Sequence, residues 1–274
     1  MSGPSSLEGM LVVKAGGRAI VANASNIVRS VVRVSAKRPV VLVHGGGDVV
    51  TEYCKALGIE PKFVVSPQGI RSRYTDEKEL EVYVMVMAGK INKSLVAEAV
   101  KHGGRAVGIS GADGNVLVAE RKKKIVVIDE KGRKRVMDGG YTGQIKEVNA
   151  DLVRGLLERG LIVVVAPIAV SAEGELLNVD GDQAAASIAR ALGAEELVFL
   201  SDVDGLMLNG GLVSRLTAEE ALSLLPSIGP GMNRKVMLAA ESVKAGVGRA
   251  VICNGLAEDP LALAEAGEGT VIVR

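Results

Sequence analysis

The sequence predicts an α/β fold in which helices cover both faces of a sheet of buried, parallel strands. Two observations indicate it: short β-branched runs without polar alternation, and amphipathic stretches of helical length between them. Unbroken apolar runs are typical of strands that are buried on both faces. A strand followed by a helix, repeated along the chain, is typical of α/β sheets.

The predicted elements alternate along the chain. The predicted strands are residues 10–13, 40–43, 161–166 and 197–200. The predicted helices are residues 24–34, 75–102, 149–159 and 183–192. Each strand ends in small or polar residues, and ligands of open parallel sheets bind beyond the carboxyl ends of the strands. We therefore expect the chemistry at these four junctions.

The composition excludes several classes of protein. Of the 274 residues, 48% are apolar, which is enough to bury a sizeable core and excludes a mainly disordered chain. The longest unbroken apolar run, residues 161–170, is too short for a membrane-spanning helix, which needs about 20 residues. We therefore expect a soluble protein without a membrane partner. Residues 1–9 lack the basic and apolar regions of a signal peptide and are expected to form a loose extension.

Cysteine, histidine and aromatic residues are scarce. Two cysteines and two histidines, none at ligand spacing, do not support a disulfide framework or a structural zinc site, and they favour the cytoplasm. The chain has no tryptophan and 2% aromatic residues, so it lacks the stacking platforms of single-strand nucleic-acid binders. The net charge of +1 is too balanced for a general polyanion binder, and no nucleic-acid partner is expected.

Residues 119–135 form a strongly basic segment that predicts a β-hairpin, with a strand at 125–128 and a turn at 129–132. The segment carries a net charge of +5, so the rest of the chain carries about −4. One interpretation is an edge hairpin that lysines protect against strand pairing. The interpretation we favour is an electrostatic docking site. Its candidate residues are Arg121, Lys122, Lys123, Lys124, Arg133, Lys134 and Arg135.

Two glycine-rich turns follow predicted strands, Lys14-Ala15-Gly16-Gly17 and His44-Gly45-Gly46-Gly47. Backbone N–H groups in such turns can approach phosphate oxygens closely, although packing turns use glycine too. Neither turn fits the P-loop or the dinucleotide-binding pattern. Because both turns follow predicted strands and a lysine precedes one of them, together they indicate an anion site.

Two lysines are candidate cations for such a site. Lys14 lies at the end of an apolar strand, where burying an unpaired ammonium group would cost much free energy. The alternative is that its aliphatic side chain extends along the strand edge and places the ammonium group in water. Lys235 lies at the start of a predicted helix that runs to Val243, where phosphate is attracted, although alone it could be a surface charge. No nucleophile motif and no partner for His44 are evident, so we interpret His44 as a hydrogen-bonding turn residue. Without a nucleophile or a base, the remaining interpretation is electrostatic catalysis, in which cations and backbone amides surround a transferring phosphoryl group.

Eight ordered motifs resemble the amino acid kinase family, in its acetylglutamate kinase-like branch. They are Lys14-Ala15-Gly16-Gly17, His44-Gly45-Gly46-Gly47, Arg73-Tyr74-Thr75-Asp76, Gly89-Lys90-Ile91-Asn92-Lys93, Gly108-Ile109-Ser110-Gly111-Ala112-Asp113-Gly114, Asn178-Val179-Asp180-Gly181-Asp182-Gln183-Ala184-Ala185, Ser201-Asp202-Val203-Asp204-Gly205 and Gly231-Met232-Asn233-Arg234-Lys235. The resemblance covers almost the whole chain.

The resemblance implies a fold and a reaction. The fold is a three-layer α/β/α sandwich with a mainly parallel central sheet, one domain over residues 1–274 with two lobes. Residues 10–177 would hold the amino acid and residues 178–274 the nucleotide, with a boundary near the polar loop at 171–175. The reaction is phosphorylation of a side-chain carboxylate by MgATP, which gives an acyl phosphate. A homodimer is implied, and no metal ligated by the protein is expected.

The resemblance also implies roles for individual residues. Lys14 and Lys235 would stabilise the transferring phosphoryl group, and Asp182 would orient them. Gly46 and Gly47 would contribute amides, and Arg73 and Asn178 would hold the substrate. The residues implied near the nucleotide are Gly16, Gly17, Ser201, Asp202, Gly205 and Met232.

Two features favour a specialised member of this family. The segment from Ser66 to Asp76 is longer than the usual motif and resembles kinases whose amino acid is joined through its amino group to a small acidic carrier protein, LysW. The basic hairpin would suit such a partner. The expected substrate is carrier-bound 2-aminoadipate, with carrier-bound glutamate as a second candidate, in lysine and arginine biosynthesis. The alternatives are an N-acetylglutamate kinase, a nucleotide-binding regulatory protein without turnover, and a nucleic-acid binder that uses the hairpin.

Overall fold

A computed structural model describes residues 7–67, 69 and 71–274. Residues 1–6 of the predicted loose extension lie outside the described residues, as do Gln68 and Ile70 of the lengthened segment. Among the residues described, no helix combines the length and the apolar character that a membrane span requires.

The chain combines strands that are followed by helices with runs of consecutive strands, such as β5 to β9. The strands are β1 (Leu11–Ala15), β2 (Val40–His44), β3 (Lys62–Val65), β4 (Arg71–Tyr74), β5 (Ala106–Ser110), β6 (Leu117–Arg121), β7 (Lys124–Ile128), β8 (Lys134–Asp138), β9 (Gly143–Val148), β10 (Ile162–Ala166), β11 (Ile168–Val170), β12 (Leu176–Asn178), β13 (Glu196–Ser201), β14 (Met207–Leu208), β15 (Gly211–Leu212), β16 (Arg215–Thr217), β17 (Arg249–Asn254) and β18 (Thr270–Val273). The helices are α1 (Gly17–Ser35), α2 (Gly47–Ala56), α3 (Glu77–Val84), α4 (Asn92–Lys101), α5 (Ala150–Glu158), α6 (Gly181–Leu192), α7 (Ala218–Ser223), α8 (Met232–Lys244) and α9 (Pro260–Ala266). A π-helix, Met85–Ile91, joins α3 to α4.

The central sheet has eight strands in the order β16-β18-β17-β13-β1-β2-β10-β5. The six strands from β17 to β5 run parallel, and β18 pairs antiparallel with β17. The four strands predicted from apolar runs are confirmed, and they are the adjacent strands β13, β1, β2 and β10 at the centre of this sheet. Their carboxyl ends therefore lie side by side, which brings the four predicted junctions together.

Helices cover both faces of the sheet. Because successive strand side chains point to opposite faces, Val12 belongs to one buried cluster while Leu11 and Val13 belong to the other. Helices α5, α6, α7 and α8 pack in the first cluster, and α1, α2, α3, α4 and α9 pack in the second. The three-layer arrangement that the family resemblance implied is confirmed.

The predicted helices are found with two changes in detail. The helix predicted from residue 24 begins earlier, at Gly17, but departs from helical geometry at Asn23, whose amide donates to the carbonyls of Gly255 and Ala257. The helix predicted over residues 75–102 is divided by the π-helix. Such interruptions depend on packing: a Cβ at Gly46 would overlap Ile91, so the π-helix and the second glycine turn fit against each other.

The basic hairpin is confirmed as β7 and β8, which pair from Lys124 with Asp138 to Ile128 with Lys134. Asp129 closes its turn by accepting from the backbone N–H groups of Lys131 and Arg133. The remaining small sheets are β12-β11-β6-β9, β3-β4 and β14-β15. They were not predicted, because their strands are short and half-exposed and carry no long apolar run.

A buried ion cluster closes the amino-terminal end of the sheet, opposite the strand ends discussed above. The carboxylate of Glu196, at the start of β13, is 1% exposed. Its Oε2 lies 2.6 Å from an amino nitrogen of Arg38, and its Oε1 lies 2.8 Å from an amino nitrogen of Arg249. Removing one charge from such a cluster leaves the others unpaired.

We expect Glu196→Gln to lower the free energy of unfolding by about 3 kcal/mol, because both arginines lose their anion, although they keep some contact with water. Urea unfolding measures this loss. The matched control is Glu219→Gln, whose side chain makes an exposed ion pair with Lys244. The control should unfold like the wild-type protein, since exposed pairs contribute little. Equal effects of the two substitutions would contradict this interpretation of the cluster.

Candidate active site

The two glycine turns lie side by side beyond the carboxyl ends of β1 and β2. The N–H of Gly45 donates to the carbonyl of Ala15, and the N–H of Gly16 donates to that of Leu200. A Cβ on Gly45 would lie 2.7 Å from the backbone nitrogen of Gly17, so the contact requires glycine. The turns lead directly into α1 and α2, whose first N–H groups have no partner within the helix. The crevice is therefore suited to an anion.

Three charged side chains meet beside these turns. Lys14 comes from β1, Asp182 from the first turn of α6, and Lys235 from the first turn of α8. The Lys14 Nζ lies 2.8 Å from Asp182 Oδ1, and the Lys235 Nζ lies 2.5 Å from Asp182 Oδ2. The three side chains are between 8% and 17% exposed. Two cations share one carboxylate, so this charged triad keeps a net positive charge in a largely dry site.

The neighbouring charges determine the ionisation of Asp182. Burial by itself would raise its pKa, but Lys14 and Lys235 outweigh burial, and the pKa of Asp182 lies below its usual value. Asp182 is therefore ionised at neutral pH and holds both ammonium groups in place.

The positions of α6 and α8 depend on two residues that the sequence analysis did not single out. Asp180 caps α6 by accepting from the N–H of Gln183, and its carboxylate lies 3.4 Å from the Nε of Arg234. Asp180 comes two positions before Asp182, and Arg234 comes directly before Lys235. An aspartate before a helix is a recognisable capping signal, but its pairing with Arg234 depends on the tertiary structure.

His44 is buried behind the second glycine turn. Its Nδ1 donates to the carbonyl of Gly45, 3.0 Å away, and its Nε2 accepts from the side-chain amide of Asn92. Burial lowers the pKa of His44 to about 4, an effect that the charge of Lys14 reinforces. These contacts agree with the interpretation of His44 as a turn residue. Asn92 was missed as its partner, because it lies 48 positions away in the sequence.

Of the two residues expected to hold the substrate, Arg73 contacts the second glycine turn and Asn178 contacts Thr75, next to the strand that carries Arg73. Arg73 donates to the carbonyl of Gly47 and to the hydroxyl of Thr51, and it forms an ion pair with the buried carboxylate of Glu79. Asn178 donates to the hydroxyl of Thr75, 2.8 Å away, and so reaches the same strand region as Arg73. Glu79 was missed, since nothing in its spacing distinguishes it from a surface residue of α3.

The residues expected near the nucleotide are distributed around the end of β13. Ser201 donates to Asp202, whose carboxylate lies 2.5 Å from the guanidinium of Arg18, just after Gly17. Gly205 is buried, and a Cβ there would lie 2.7 Å from the hydroxyl of Thr270. Met232 is the first residue of α8 and is half-buried. The geometry joins Asp202 to the first glycine turn and gives Gly205 a packing role.

The seven basic residues proposed for docking fall into two groups. Arg121 lies over the ring of Tyr141 and forms an ion pair with Glu175, while Arg133 and Arg135 both contact Asp129. The four lysines of the group are exposed, and their ammonium groups have no carboxylate within 4 Å in the described part of the chain; they are Lys122, Lys123, Lys124 and Lys134. The free positive charge of the hairpin is therefore carried mainly by lysines.

Comparison with known proteins places this geometry among kinases. The sequence profile of the amino acid kinase family matches residues 9–254. The [LysW]-aminoadipate/[LysW]-glutamate kinase of Metallosphaera sedula is 51% identical over 96% of this chain and 100% of its own length. The protein of the same name from Saccharolobus solfataricus is 51% identical over 96% of this chain and 99% of its own.

Solved structures support the same fold. N-acetylglutamate synthase from Neisseria gonorrhoeae, complexed with coenzyme A and N-acetyl-glutamate, superposes with a TM-score of 0.81 at 28% identity over 97% of this chain. This chain spans 59% of that synthase chain. Carbamate kinase from Giardia lamblia bound to AMP-PNP superposes with a TM-score of 0.68 at 16% identity, over 97% of this chain and 98% of that one, a likeness of fold alone.

The buried imidazole of His44 predicts a pH dependence of stability. Its pKa is about 4 in the folded protein and 6.5 in the unfolded chain, so between these values the unfolded chain binds more protons. The free energy of unfolding should therefore fall as the pH drops from 6.5 to 4, by up to about 1.4 kcal/mol per pH unit from this group.

Urea unfolding across this pH range tests the dependence. His44→Asn should remove this part of the slope, whereas the control His102→Asn, at a half-buried position beside Glu98, should keep it. A proton NMR titration of the wild-type imidazole, which should stay neutral down to about pH 4, checks the assignment even if His44→Asn folds poorly. A midpoint near 6.5 would contradict it.

Proposed function

The chain belongs to the amino acid kinase family, and we propose that it transfers the γ-phosphoryl group of MgATP to the side-chain carboxylate of an amino acid carried by LysW, a small acidic protein. The proposed amino acid is L-2-aminoadipate, with L-glutamate as a second substrate, as the names of the 51%-identical relatives state for those proteins. The product is an acyl phosphate for lysine and arginine biosynthesis. The observation that carries the proposal is the charged triad, in which two ammonium groups from separate elements share one buried carboxylate.

The triad suits this reaction because its main obstacle is charge repulsion. A carboxylate is already ionised at pH 7, so it can attack without a general base. Both reactants are anions, and bringing them together in a site with little water is costly. The net positive charge of Lys14, Asp182 and Lys235 would offset that cost as charge spreads over the transferring phosphoryl oxygens. The low pKa and hydrogen bonding of His44 support a mechanism without a histidine base.

The surrounding residues receive supporting roles in the proposal. The amides of Gly16, Gly17, Gly46 and Gly47, at the starts of α1 and α2, would donate to phosphate and carboxylate oxygens. Arg73 and Asn178 would bind the α-carboxylate and the neighbouring amide of the substrate. The proposed nucleotide contacts are Ser201, Asp202, Gly205 and Met232.

The two proposed lobes each contribute residues to the charged triad. Lys14 lies in the proposed substrate lobe, residues 10–177, whereas Asp182 and Lys235 lie in the proposed nucleotide lobe, residues 178–274. The triad would then tie the two lobes together where the phosphoryl group passes between them. Closure of the cleft between the lobes would exclude water during turnover.

The basic hairpin supports a protein as the presenter of the substrate. One face of β7 and β8 exposes Val126 and Val136, which pair directly and are 44% and 66% exposed. Lys124 and Lys134 lie on the same face, because side chains of alternate residues share a side, and Asp138, the cross-strand partner of Lys124, lies there too. An apolar centre with a cationic rim is typical of a docking surface and would suit an acidic protein.

The assembly and location of the enzyme complete the proposal. We propose a homodimer, in which the half-buried strand β5 at the edge of the central sheet is the candidate contact. Both cysteines are unpaired and buried, which supports a reducing compartment such as the cytoplasm.

An N-acetylglutamate kinase is the alternative function that shares the triad, and the carrier requirement distinguishes the two.

We expect Lys14→Ala and Lys235→Ala each to lower kcat by about 10²–10³, because each removes a preorganised cation from the transferring group. Phosphoryl transfer from ATP to the carrier-bound amino acid measures the loss, and circular dichroism checks the fold. Lys244→Ala, on the exposed end of α8, is the matched control and should retain wild-type turnover. Near-normal activity of either triad variant would refute its assignment.

We expect the double variant Lys124→Glu, Lys134→Glu to lower kcat/KM for the loaded carrier by about tenfold or more at low salt, because charge complementarity speeds association. Added salt should also lower the wild-type kcat/KM for the loaded carrier, because salt screens the attraction between the two proteins. The charge-matched control is Lys37→Glu, Lys55→Glu, at exposed positions outside the hairpin.

Free N-acetylglutamate provides the second comparison. Its turnover should be slow in the wild-type enzyme and unchanged by the hairpin variant. If N-acetylglutamate reacts as well as the loaded carrier, and salt does not weaken the carrier reaction, the enzyme is an N-acetylglutamate kinase instead.

A further inference from the structure

Arg73, which the proposed function assigns to the α-carboxylate of the substrate, is paired with a buried carboxylate. The first two residues of its strand, β4, are exposed, but the Arg73 side chain is only 8% exposed. Its Nη1 donates to Glu79, in the first turn of α3, whose side chain is 1% exposed. An arginine without a counter-charge is costly to bury. Glu79 therefore allows Arg73 to lie inside the protein instead of extending into water.

The place of Glu79 is fixed by the start of its helix. Asp76 caps α3 by accepting from the N–H of Glu79, 3.0 Å away. The residue before this cap, Thr75, is buried and accepts from the side-chain amide of Asn178. The short connection from β4 to α3 therefore joins Arg73, the contact of Asn178 and the carboxylate of Glu79 in one ordered unit.

The second terminal nitrogen of Arg73 is held by the start of α2. Its Nη2 donates to the carbonyl of Gly47, 2.7 Å away, and to the hydroxyl of Thr51, 2.5 Å away. The ring of Phe63 lies against the guanidinium, with its centroid 4.9 Å from Cζ. A guanidinium has five N–H donors, so the three bonds to Glu79, Gly47 and Thr51 leave at least two unused within the described part of the chain. Those donors keep a direction that the protein sets.

We propose that Glu79 is a positioning residue for the phosphoryl transfer: it holds the guanidinium of Arg73 against the second glycine turn, so that the remaining N–H groups meet the α-carboxylate of the substrate. This inference rests on the proposed function. Arginine is a long side chain that loses much rotational freedom when it binds a ligand. An arginine that is already fixed by Glu79 loses less freedom, so it binds and orients the carboxylate better.

Glu79 also balances the charge of Arg73, which distinguishes this pair from the triad. The triad keeps a net positive charge, whereas the pair of Arg73 and Glu79 carries none. The proposed substrate has two carboxylates, and the one on its side chain must reach the triad to react. The balanced pair recognises a carboxylate by the direction of its N–H groups, while the triad attracts one by net charge. Glu79 thereby favours the productive orientation of the substrate.

Two loaded carriers separate positioning from a structural role. One carries L-2-aminoadipate, and the other carries 5-aminopentanoate, which is the same chain without the α-carboxylate. We expect Glu79→Gln to lower kcat/KM for the aminoadipate carrier by about tenfold, because a misoriented Arg73 misses the α-carboxylate. The kcat/KM for the 5-aminopentanoate carrier and the KM for ATP should stay unchanged. A general loosening of the site would instead affect both carriers equally.

Further variants keep the test valid if Glu79→Gln folds poorly. Thr51→Val removes the hydroxyl that accepts from Arg73 and should lower kcat/KM for the aminoadipate carrier alone, by about threefold. In Arg73→Met, adding Glu79→Gln should cause no further loss, because Glu79 acts through Arg73. The matched control is Glu81→Gln, at an exposed position of the same helix, which should behave like the wild-type enzyme.

Three results would overturn the role of Glu79. They are an unchanged aminoadipate reaction in Glu79→Gln, equal losses for the two carriers, and a further loss when Glu79→Gln is added to Arg73→Met. If the wild-type enzyme does not phosphorylate the aminoadipate carrier at all, the proposed function itself fails, and the role of Glu79 fails with it.

Discussion

A single buried carboxylate, that of Asp182, holds together two ammonium groups that come from separate elements of the fold. Lys14 and Lys235 would repel each other in a site with little water, and Asp182 lies between them, within 2.8 Å and 2.5 Å of their ammonium groups. Their charges in turn keep Asp182 ionised against the effect of burial. The arrangement requires β1, α6 and α8 to meet at one point, so the central sheet and the cap of α6 by Asp180 serve it directly.

The second constraint is the close approach of the backbones of the two glycine turns. It explains why glycine is required there better than backbone flexibility does. The two glycine turns touch through Gly17 and Gly45, where a side chain would collide with the opposite backbone. Gly46 is in turn covered by the π-helix, and His44 fixes the adjacent peptide by a hydrogen bond to Gly45. These contacts hold the N–H groups at the starts of α1 and α2 in fixed positions, as preorganised electrostatic stabilisation requires.

The sequence was most informative where one physical signal dominated. Apolar runs located the four central strands, because strands buried on both faces have no polar alternation to confuse them. The local sequence marks Lys14 and Lys235 as candidate cations, but only the family resemblance adds Asp182 and groups the three, because Lys14 and Asp182 lie far apart in the chain and nothing local connects them. The pairing of Arg73 with Glu79, of Arg121 with Glu175 and of Arg234 with Asp180 could not be predicted, since a side chain's partner is decided by tertiary packing. The division of residues 75–102 by a π-helix has the same cause.

Charges in this molecule differ in function according to their exposure to water. The triad is nearly dry, so its interactions are strong and scarcely screened by salt, which suits the stabilisation of a transient charge. The lysines of the hairpin are in water, where single contacts are weak, but their concentrated positive charge would still attract and orient the proposed acidic partner. Arg234, which precedes Lys235 in the chain, lies between these extremes with a side chain that is 29% exposed. The proposed roles follow this order, because an exposed and salt-screened charge can only attract a partner, whereas a nearly dry charge can stabilise a reacting group.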